Sequence, residues 1–372
     1  MKIPFNRPFL AGNEMKYIRN AFDNNCSYSL KCQELLENKL NAKKVLLTTS
    51  CTSALEMSAL LLDIKKEDEI IMPSFTFVST ANAFVLRGAK PVFADIRKDT
   101  LNLDERLFSE KITKKTKAIV PMHYGGIGCE MDYIMDIAKK HNLPGVEDAA
   151  QAVNAFYKGK ALGTIGDLGC YSFHKTKNYT CNEGGAIVIN NPKHIERAEI
   201  IMEKGTDRNK FLKGEIDKYT WVDVGSSYVP SEILAAFLYA QLEKMDFIHG
   251  KRKKIFDFYD ENLKELEDKG DIRLPSIPKE CKTNYHLFYM LLENREKRDG
   301  LMNYLKEKQI QATFHYIPLH LSKMGKSFRY RKGDFPVSEE YSERILRLPF
   351  YTNLEPKTQE RIAKETKRFF KK

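Results

Sequence analysis

Seven short apolar segments occupy the first half of the chain: "KVLLTTS" (44–50), "DEIIMPS" (68–74), "KPVFADI" (90–96), "KAIVPMH" (117–123), "LPGVEDAA" (143–150), "LGCYSFH" (168–174) and "GGAIVIN" (184–190). Several are nearly continuous Val, Ile, Leu and Phe, the pattern of strands buried on both faces. Helical stretches such as "SALEMSALLLDI" and "CEMDYIMDIAKKHN" separate the early ones and are long enough for the crossovers that parallel strands need. These segments predict an α/β fold, a seven-stranded, mostly parallel sheet with helices on both faces. Only residues 175–183, without a helical pattern, separate the last two segments. The strand order is expected to change there, and ligands of open α/β sheets collect at strand carboxyl ends near such switch points.

At 372 residues the chain exceeds what one core usually organises. The pattern changes after the amphipathic run "PSEILAAFLYAQLEKMDFIHGKRKKIFDFYDENLKELE". A large domain is therefore expected over 1–250, N-terminal segment included, and a smaller α+β domain over 251–372. No run approaches the roughly 18 apolar residues of a membrane span, and "MKIPFNRPFL" has no signal-like apolar stretch. The expected location is the cytoplasm. Seven cysteines, at 26, 32, 51, 129, 170, 181 and 281, show no C-x-x-C pair and no metal-ligand spacing, so they read as free thiols without a metal. A formal charge of +11 suits an anionic partner, a nucleic acid or a small phosphorylated ligand. The densest basic cluster, "KRKK" at 251–254, reads as the solvated face of a helix.

Four features carry possible chemistry. In "LLTTSCTSALEM" an apolar strand runs into hydroxyls at the start of a helix, a site where free N–H groups attract an anion. The plainer reading is capping alone, with Ser53-Ala-Leu-Glu56 as a capping box. In "VEDAAQA", Glu147 and Asp148 close a buried strand just before Gln151, and a buried carboxylate needs a cationic or hydrogen-bonding partner. In "SFHKTKNYTCNEGG", Lys175 and Lys177 sit at the sheet's mouth, where desolvation can turn an amine into a nucleophile toward carbonyls. Strand alternation cannot separate the two, since they share parity. In "PSFTFVSTANAF", Phe75 and Phe77 are core residues or the stacking face for a planar ligand. A P-loop, an H-E-x-x-H and a G-x-S-x-G elbow are all missing, and "GGIGCEM" lacks the third glycine of a dinucleotide site. A phosphate site, a ring-nitrogen carboxylate, a stacking face and an imine-forming lysine are together the parts that a pyridoxal phosphate site requires.

In order along the chain, these segments resemble the sugar aminotransferases of the DegT/DnrJ/EryC1/StrS family, a branch of the fold type I pyridoxal phosphate enzymes. The resemblance begins at "IPFNRPFLAGNEMKYI", passes through "DEIIMPSFTFVSTANAFVLRGAKPVFADI", "VEDAAQA" and "GTIGDLGCYSFHKTKN", and reaches "FHYIPLH" and "LRLPFYTNL". Within the family, "HKTKNYT", "EKGTDRNKFLKGEIDKYTW" and "DVGSSY" resemble the branch that makes dTDP-4-amino-4,6-dideoxygalactose from dTDP-4-keto-6-deoxyglucose. The resemblance implies that Lys177 is the covalent and acid/base lysine and that Lys175 is a bystander. It implies that Asp148 keeps the pyridine nitrogen protonated, Gln151 bonds the ring hydroxyl and Phe77 stacks on the ring. It also implies that the backbone of Thr52 and Ser53 and the Ser172 hydroxyl hold the phosphate. The family's active sites lie between two subunits, which implies a homodimer; Ser227 stands where the family usually has a phosphate-binding asparagine from the partner subunit. Asn182 replaces a common glycine, and Gly145 lies in a strand that is usually more β-branched.

The implied reaction moves an amino group from glutamate to C4 of the keto sugar, for surface glycan synthesis. Its rivals are amination at C3, or of a UDP-linked sugar; dehydration, disfavoured because relatives of that kind have histidine where Lys177 stands; a non-catalytic sugar-nucleotide binder; and a nucleotide-dependent oxidoreductase. No nucleic acid or membrane partner is expected.

Overall fold

Each of the seven apolar segments forms a strand in the computed structural model, which describes residues 2–23 and 26–371. They are β1 (Val45–Thr48), β2 (Glu69–Pro73), β3 (Lys90–Ala94), β4 (Thr116–Ile119), β5 (Val146–Asp148), β6 (Leu168–Ser172) and β7 (Gly185–Ile189). Four pair in the order β1-β7-β6-β5 and three in the order β3-β2-β4. The facing edges of the two groups meet through parallel bridges, Ile119 to Gly145 and Met122 to Asp148. The β2–β3, β2–β4 and β5–β6 pairs are parallel, whereas β7 runs antiparallel to both β6 and β1. The expected change of strand order after β6 is therefore a reversal of direction: β6 and β7 are neighbours, in register from Leu168–Ile189 to Ser172–Gly185.

Both faces of this sheet are covered, which explains the unbroken apolar runs. Alternate strand residues enter opposite clusters: Leu47, Ile71, Ile119 and Val188 pack on one side, and Leu46, Ile70, Ala118 and Ile187 on the other. Close packing also accounts for Gly145, where an added Cβ would meet Met135 Sδ at 2.7 Å. A β-branched residue there would force the Met135 side chain to move.

The helices that position the site are α1 (Cys51–Leu61) and α2 (Val78–Val85), each following a strand end. Helix α1 begins earlier than the capping-box reading expects. Its cap is Ser50, extended at φ −163°, whose Oγ accepts the Ser53 N–H at 3.0 Å. Ser53 is thus inside the first turn, and Glu56 instead accepts from the Tyr228 hydroxyl at 3.3 Å.

Helix α3 (Met245–Asp268) carries the chain across residue 250 and into a second core. That core joins Tyr259, Leu263, Phe288, Met290 and Ile362 around the antiparallel strands β8 (Ile272–Arg273), β9 (Tyr289–Leu292) and β10 (Ile345–Arg347). Ile3 belongs to it too, bridged to Ile310, so the first residues pack with the C-terminal core. Of the basic run 251–254, Arg252 is buried while its three lysine neighbours are exposed. All seven cysteines are free. Among the described residues, no helix is long and apolar enough to cross a membrane.

Candidate active site

At the carboxyl ends of β2, β5 and β6 lies a cavity of about 660 Å³. The start of α1 supplies Ser50, Cys51 and Thr52 to its wall. Thr52 is fixed by a 2.8 Å bond from its hydroxyl to Ser79 Oγ. Ser53 does not reach the cavity wall. Its N–H is taken by Ser50, and its hydroxyl lies 2.8 Å from Thr49 Oγ1 and 3.0 Å from Ser50 Oγ. The capping-box reading placed the helix start one turn late; the resemblance set Ser53 beside Thr52 at the phosphate, whereas it is Cys51 and Thr52 that line the wall.

The two acids of "VEDAAQA" point to opposite sides of β5, as strand alternation requires. Asp148 lines the cavity, buried, with Oδ2 accepting from the Thr80 hydroxyl at 2.6 Å and Oδ1 from the Ala150 N–H at 3.1 Å. Glu147 faces away and accepts the N–H groups of Gly163, Ile165 and Gly166 at 2.6–2.8 Å, with His123 Nε2 at 3.0 Å. Gln151 accepts from the Gly125 N–H at 2.7 Å and donates to the Tyr316 hydroxyl at 2.8 Å. Each carboxylate thus satisfies the requirement for buried charge, but only Asp148 offers its charge to the cavity.

The two lysines also part company. Beyond Ser172, which ends β6 on the cavity wall, the chain leaves the sheet and turns, with the Lys177 N–H bonded to the His174 carbonyl at 2.8 Å. Lys177 lines the cavity and Lys175 is exposed outside it. Burial pulls the Lys177 amine below its ordinary value; Cys51 and Asp148 oppose that shift and Arg347 adds to it. Asn182 anchors this turn by accepting the Lys175 N–H at 2.9 Å. It does so at φ +75°, a left-handed conformation that glycine and asparagine tolerate best.

The aromatic pair resolves in the same way. Phe75 is fully buried against Tyr124 and Tyr316, whereas Phe77, just before α2, is 56% exposed and lines the cavity. Ser227 lies outside the cavity, on an exposed segment bridged to Glu203.

Sequence reasoning assigned no role to the other wall, which comes from the C-terminal half. His286, His315, Tyr316 and Arg347 line it. His286 Nδ1 is 2.9 Å from Asn178 Oδ1, and His315 stacks on Tyr316 with centroids 3.8 Å apart. Burial, reinforced by Lys177 and Arg347, holds both imidazoles well below the ordinary histidine value. Both are neutral near pH 7. Burial also pushes the Tyr316 hydroxyl up, so it stays protonated.

The cavity combines a partly desolvated amine, a buried carboxylate, a helix N-terminus bearing hydroxyls and an open aromatic face. Those groups suit a ligand with a carbonyl, a basic ring nitrogen and a phosphate, and the residues present fit pyridoxal phosphate. Residues 13–367 match the DegT/DnrJ/EryC1/StrS aminotransferase family, and the chain belongs to it. It is 38% identical over 333 residues to the uncharacterized protein MJ1066 of Methanocaldococcus jannaschii, covering 88% of this chain and 86% of that one. It is 31% identical over 361 residues to the GDP-perosamine synthase of Escherichia coli O157:H7, covering 95% and 94%. Among solved structures, the putative sugar aminotransferase Spr1654 of Streptococcus pneumoniae in its PLP-form superposes with a TM-score of 0.92 over 100% of this chain and 99% of that one. At 24% identity that likeness establishes the shared fold, the fold type I architecture.

Proposed function

We propose that the protein is a pyridoxal 5′-phosphate-dependent aminotransferase that moves the amino group of glutamate to C4 of dTDP-4-keto-6-deoxyglucose. The product is dTDP-4-amino-4,6-dideoxygalactose, destined for a surface glycan, and the free cysteines suit a cytoplasmic setting. The observation that carries the reading is Lys177, an amine held below its ordinary value in the same cavity as the buried Asp148 carboxylate. The choice of sugar and carrier rests on the stretches "HKTKNYT", "EKGTDRNKFLKGEIDKYTW" and "DVGSSY".

When bound, the cofactor supplies an electron sink for the carbon that loses its proton. Lys177 anchors it and then takes the proton from the Cα of glutamate; in the second half-reaction it returns one to sugar C4. Asp148, oriented by Thr80 and Ala150, keeps the ring nitrogen protonated. Gln151 has a second amide hydrogen to spare for the ring hydroxyl, and Phe77 covers the ring. Cys51 and Thr52 at the N-terminus of α1, together with the Ser172 hydroxyl, would hold the cofactor's phosphate, with Ser53 behind them. Ser227, exposed on its own subunit, reaches the partner's site in a homodimer.

The test is the visible spectrum of the cofactor-loaded protein. Glutamate should bleach the long-wavelength band and dTDP-4-keto-6-deoxyglucose should restore it. A protein that takes up no pyridoxal phosphate, or whose band ignores glutamate, contradicts the reading. Restoration by a 3-keto or UDP-linked sugar in preference to the dTDP-4-keto sugar would select the alternative substrate.

A further inference from the structure

Behind the cavity lies a buried trio of polar side chains that the proposed reaction does not use. Ser74 follows β2, His320 stands in the segment beyond Tyr316, and Glu339 lies on helix α4 (Pro336–Arg344). Ser74 and His320 are fully buried. Ser74 Oγ is 2.6 Å from His320 Nδ1, and His320 Nε2 is 3.0 Å from Glu339 Oε1. Glu339 Oε1 also accepts the Gly333 N–H at 2.6 Å, so it is the acceptor here and Nε2–H the donor. Nδ1 is then bare, and the Ser74 hydroxyl donates to it. Serine, histidine and acid in this order also serve hydrolases, but a serine with no exposure meets no substrate.

What the trio joins is the two walls of the cavity. Ser74 is held to the large sheet by its N–H, bonded to the Ala94 carbonyl at 3.2 Å, and it opens the stretch that brings Thr76 and Phe77 to the cavity. Thr76 Oγ1 lies 2.8 Å from Thr80 Oγ1, the hydroxyl that orients Asp148. His320 closes the stretch that brings His315 and Tyr316 to the other wall, and Pro318 stiffens the chain between them. The Leu319 N–H adds a backbone bond of 2.9 Å to the Ser74 carbonyl, and the Phe335 ring meets the imidazole edge-on at 4.8 Å between centroids. Apolar side chains could fill this space without desolvating three polar groups. Hydrogen bonds supply a fixed direction that apolar contact lacks.

Resting on the aminotransferase reading above, we infer that His320 is a positioning residue that clasps the two walls of the cavity at one spacing. With the clasp made, the Phe77 and Tyr316 rings stand 6.4 Å apart between centroids, and Gln151 reaches the Tyr316 hydroxyl at 2.8 Å. Lys177 belongs to the first wall and the second faces the incoming substrate, so their spacing sets how well a reacting carbon is aligned with that amine. A misplacement of about 1 Å in such a geometry can cost about a hundredfold in rate.

Two variants separate a clasp from a merely structural histidine. His320→Leu keeps the bulk and removes both side-chain bonds; His320→Asn keeps an acceptor for the Ser74 hydroxyl and gives up Glu339. In the cofactor-free protein, hydrogen exchange of the peptide containing Leu319 should be about tenfold faster in His320→Leu and within about threefold of wild type in His320→Asn. In the cofactor-loaded protein, kcat per bound cofactor should fall about 30-fold in His320→Leu, with KM for glutamate within about threefold, because the binding groups remain and only their alignment is lost. His320→Asn should restore kcat to within about threefold of wild type. Ser74→Ala, which removes the same bond from the other side, carries both measurements if His320→Leu does not fold. Unchanged kcat per bound cofactor in His320→Leu and Ser74→Ala, whatever their melting temperatures, overturns the clasp, as does an equal loss in the leucine and asparagine variants. A wild-type protein whose bound cofactor ignores glutamate overturns the aminotransferase reading instead; the exchange rates, measured without cofactor, then decide the clasp alone, and unchanged exchange in His320→Leu overturns it.

Discussion

The two walls of the cavity are built in different ways. The wall from the large sheet, with Asp148, Gln151 and Thr52, has its polar atoms tied to neighbours by bonds of 2.6–3.1 Å. The wall from the C-terminal half carries two neutral histidines and an arginine with an unpartnered Nε. Groups that are already oriented lose little freedom when they meet a ligand, so the first wall suits one that stays in place. A wall with an unpaired donor suits ligands that come and go, here the amino donor and the keto sugar.

Changes to the first wall should be the most damaging. Lys177→Ala is expected to lower turnover by at least about ten-thousandfold, since anchor and acid/base are lost together, while Lys175→Ala stays within about twofold. Release of 2-oxoglutarate from glutamate measures both. Asp148→Asn should cost about a hundredfold in the same assay by weakening protonation of the ring nitrogen. If Asp148→Asn proves milder than Arg347→Gln, the contrast between the walls is drawn the wrong way round.

The second wall makes a prediction in pH. His286 and His315 are held neutral in the folded protein, while the unfolded chain protonates them below about pH 6.5. The unfolded state then binds more protons, so stability falls as the pH drops below 6.5, by about 1.4 kcal/mol per pH unit for each histidine until its folded value is reached. Urea melts between pH 7 and pH 5 should show this slope, and His315→Gln should flatten it. An unchanged slope would mean that His315 is not held neutral. The smallest effect is expected at the turn beside Lys177. Asn182→Gly should change stability by less than about 1 kcal/mol, whereas Asn182→Val should cost about 1–2 kcal/mol because a β-branched residue resists positive φ.

The same contrast explains what the sequence could and could not reveal. The first wall sits at the ends of strands that are hydrophobic enough to be recognised individually, so Asp148, Gln151, Ser172 and Thr52 fall at countable distances from visible elements. Register still misplaced one residue. The cap of α1 is Ser50, and in a row of five hydroxyls, Thr48, Thr49, Ser50, Thr52 and Ser53, periodicity cannot say which one stops the strand. Separating Lys175 from Lys177 was beyond alternation because the chain has left the sheet by then, and a turn has no two-residue period. The second wall was not legible by these means. His286, His315 and Arg347 come from three segments that local pattern does not link, and the packing of β9 and β10 against the large sheet brings them together. Even Arg252, which reads as one basic residue among four, is buried beneath that wall and holds the carbonyl of His286.

The central claim is that one particular amine in "SFHKTKNYTCNEGG" holds the cofactor. Borohydride reduction of the pyridoxal phosphate-loaded protein, followed by peptide mass mapping, reads that bond directly. The pyridoxyl adduct is predicted on Lys177, with Lys175 unmodified; an adduct on Lys175, or on neither lysine, would contradict the account.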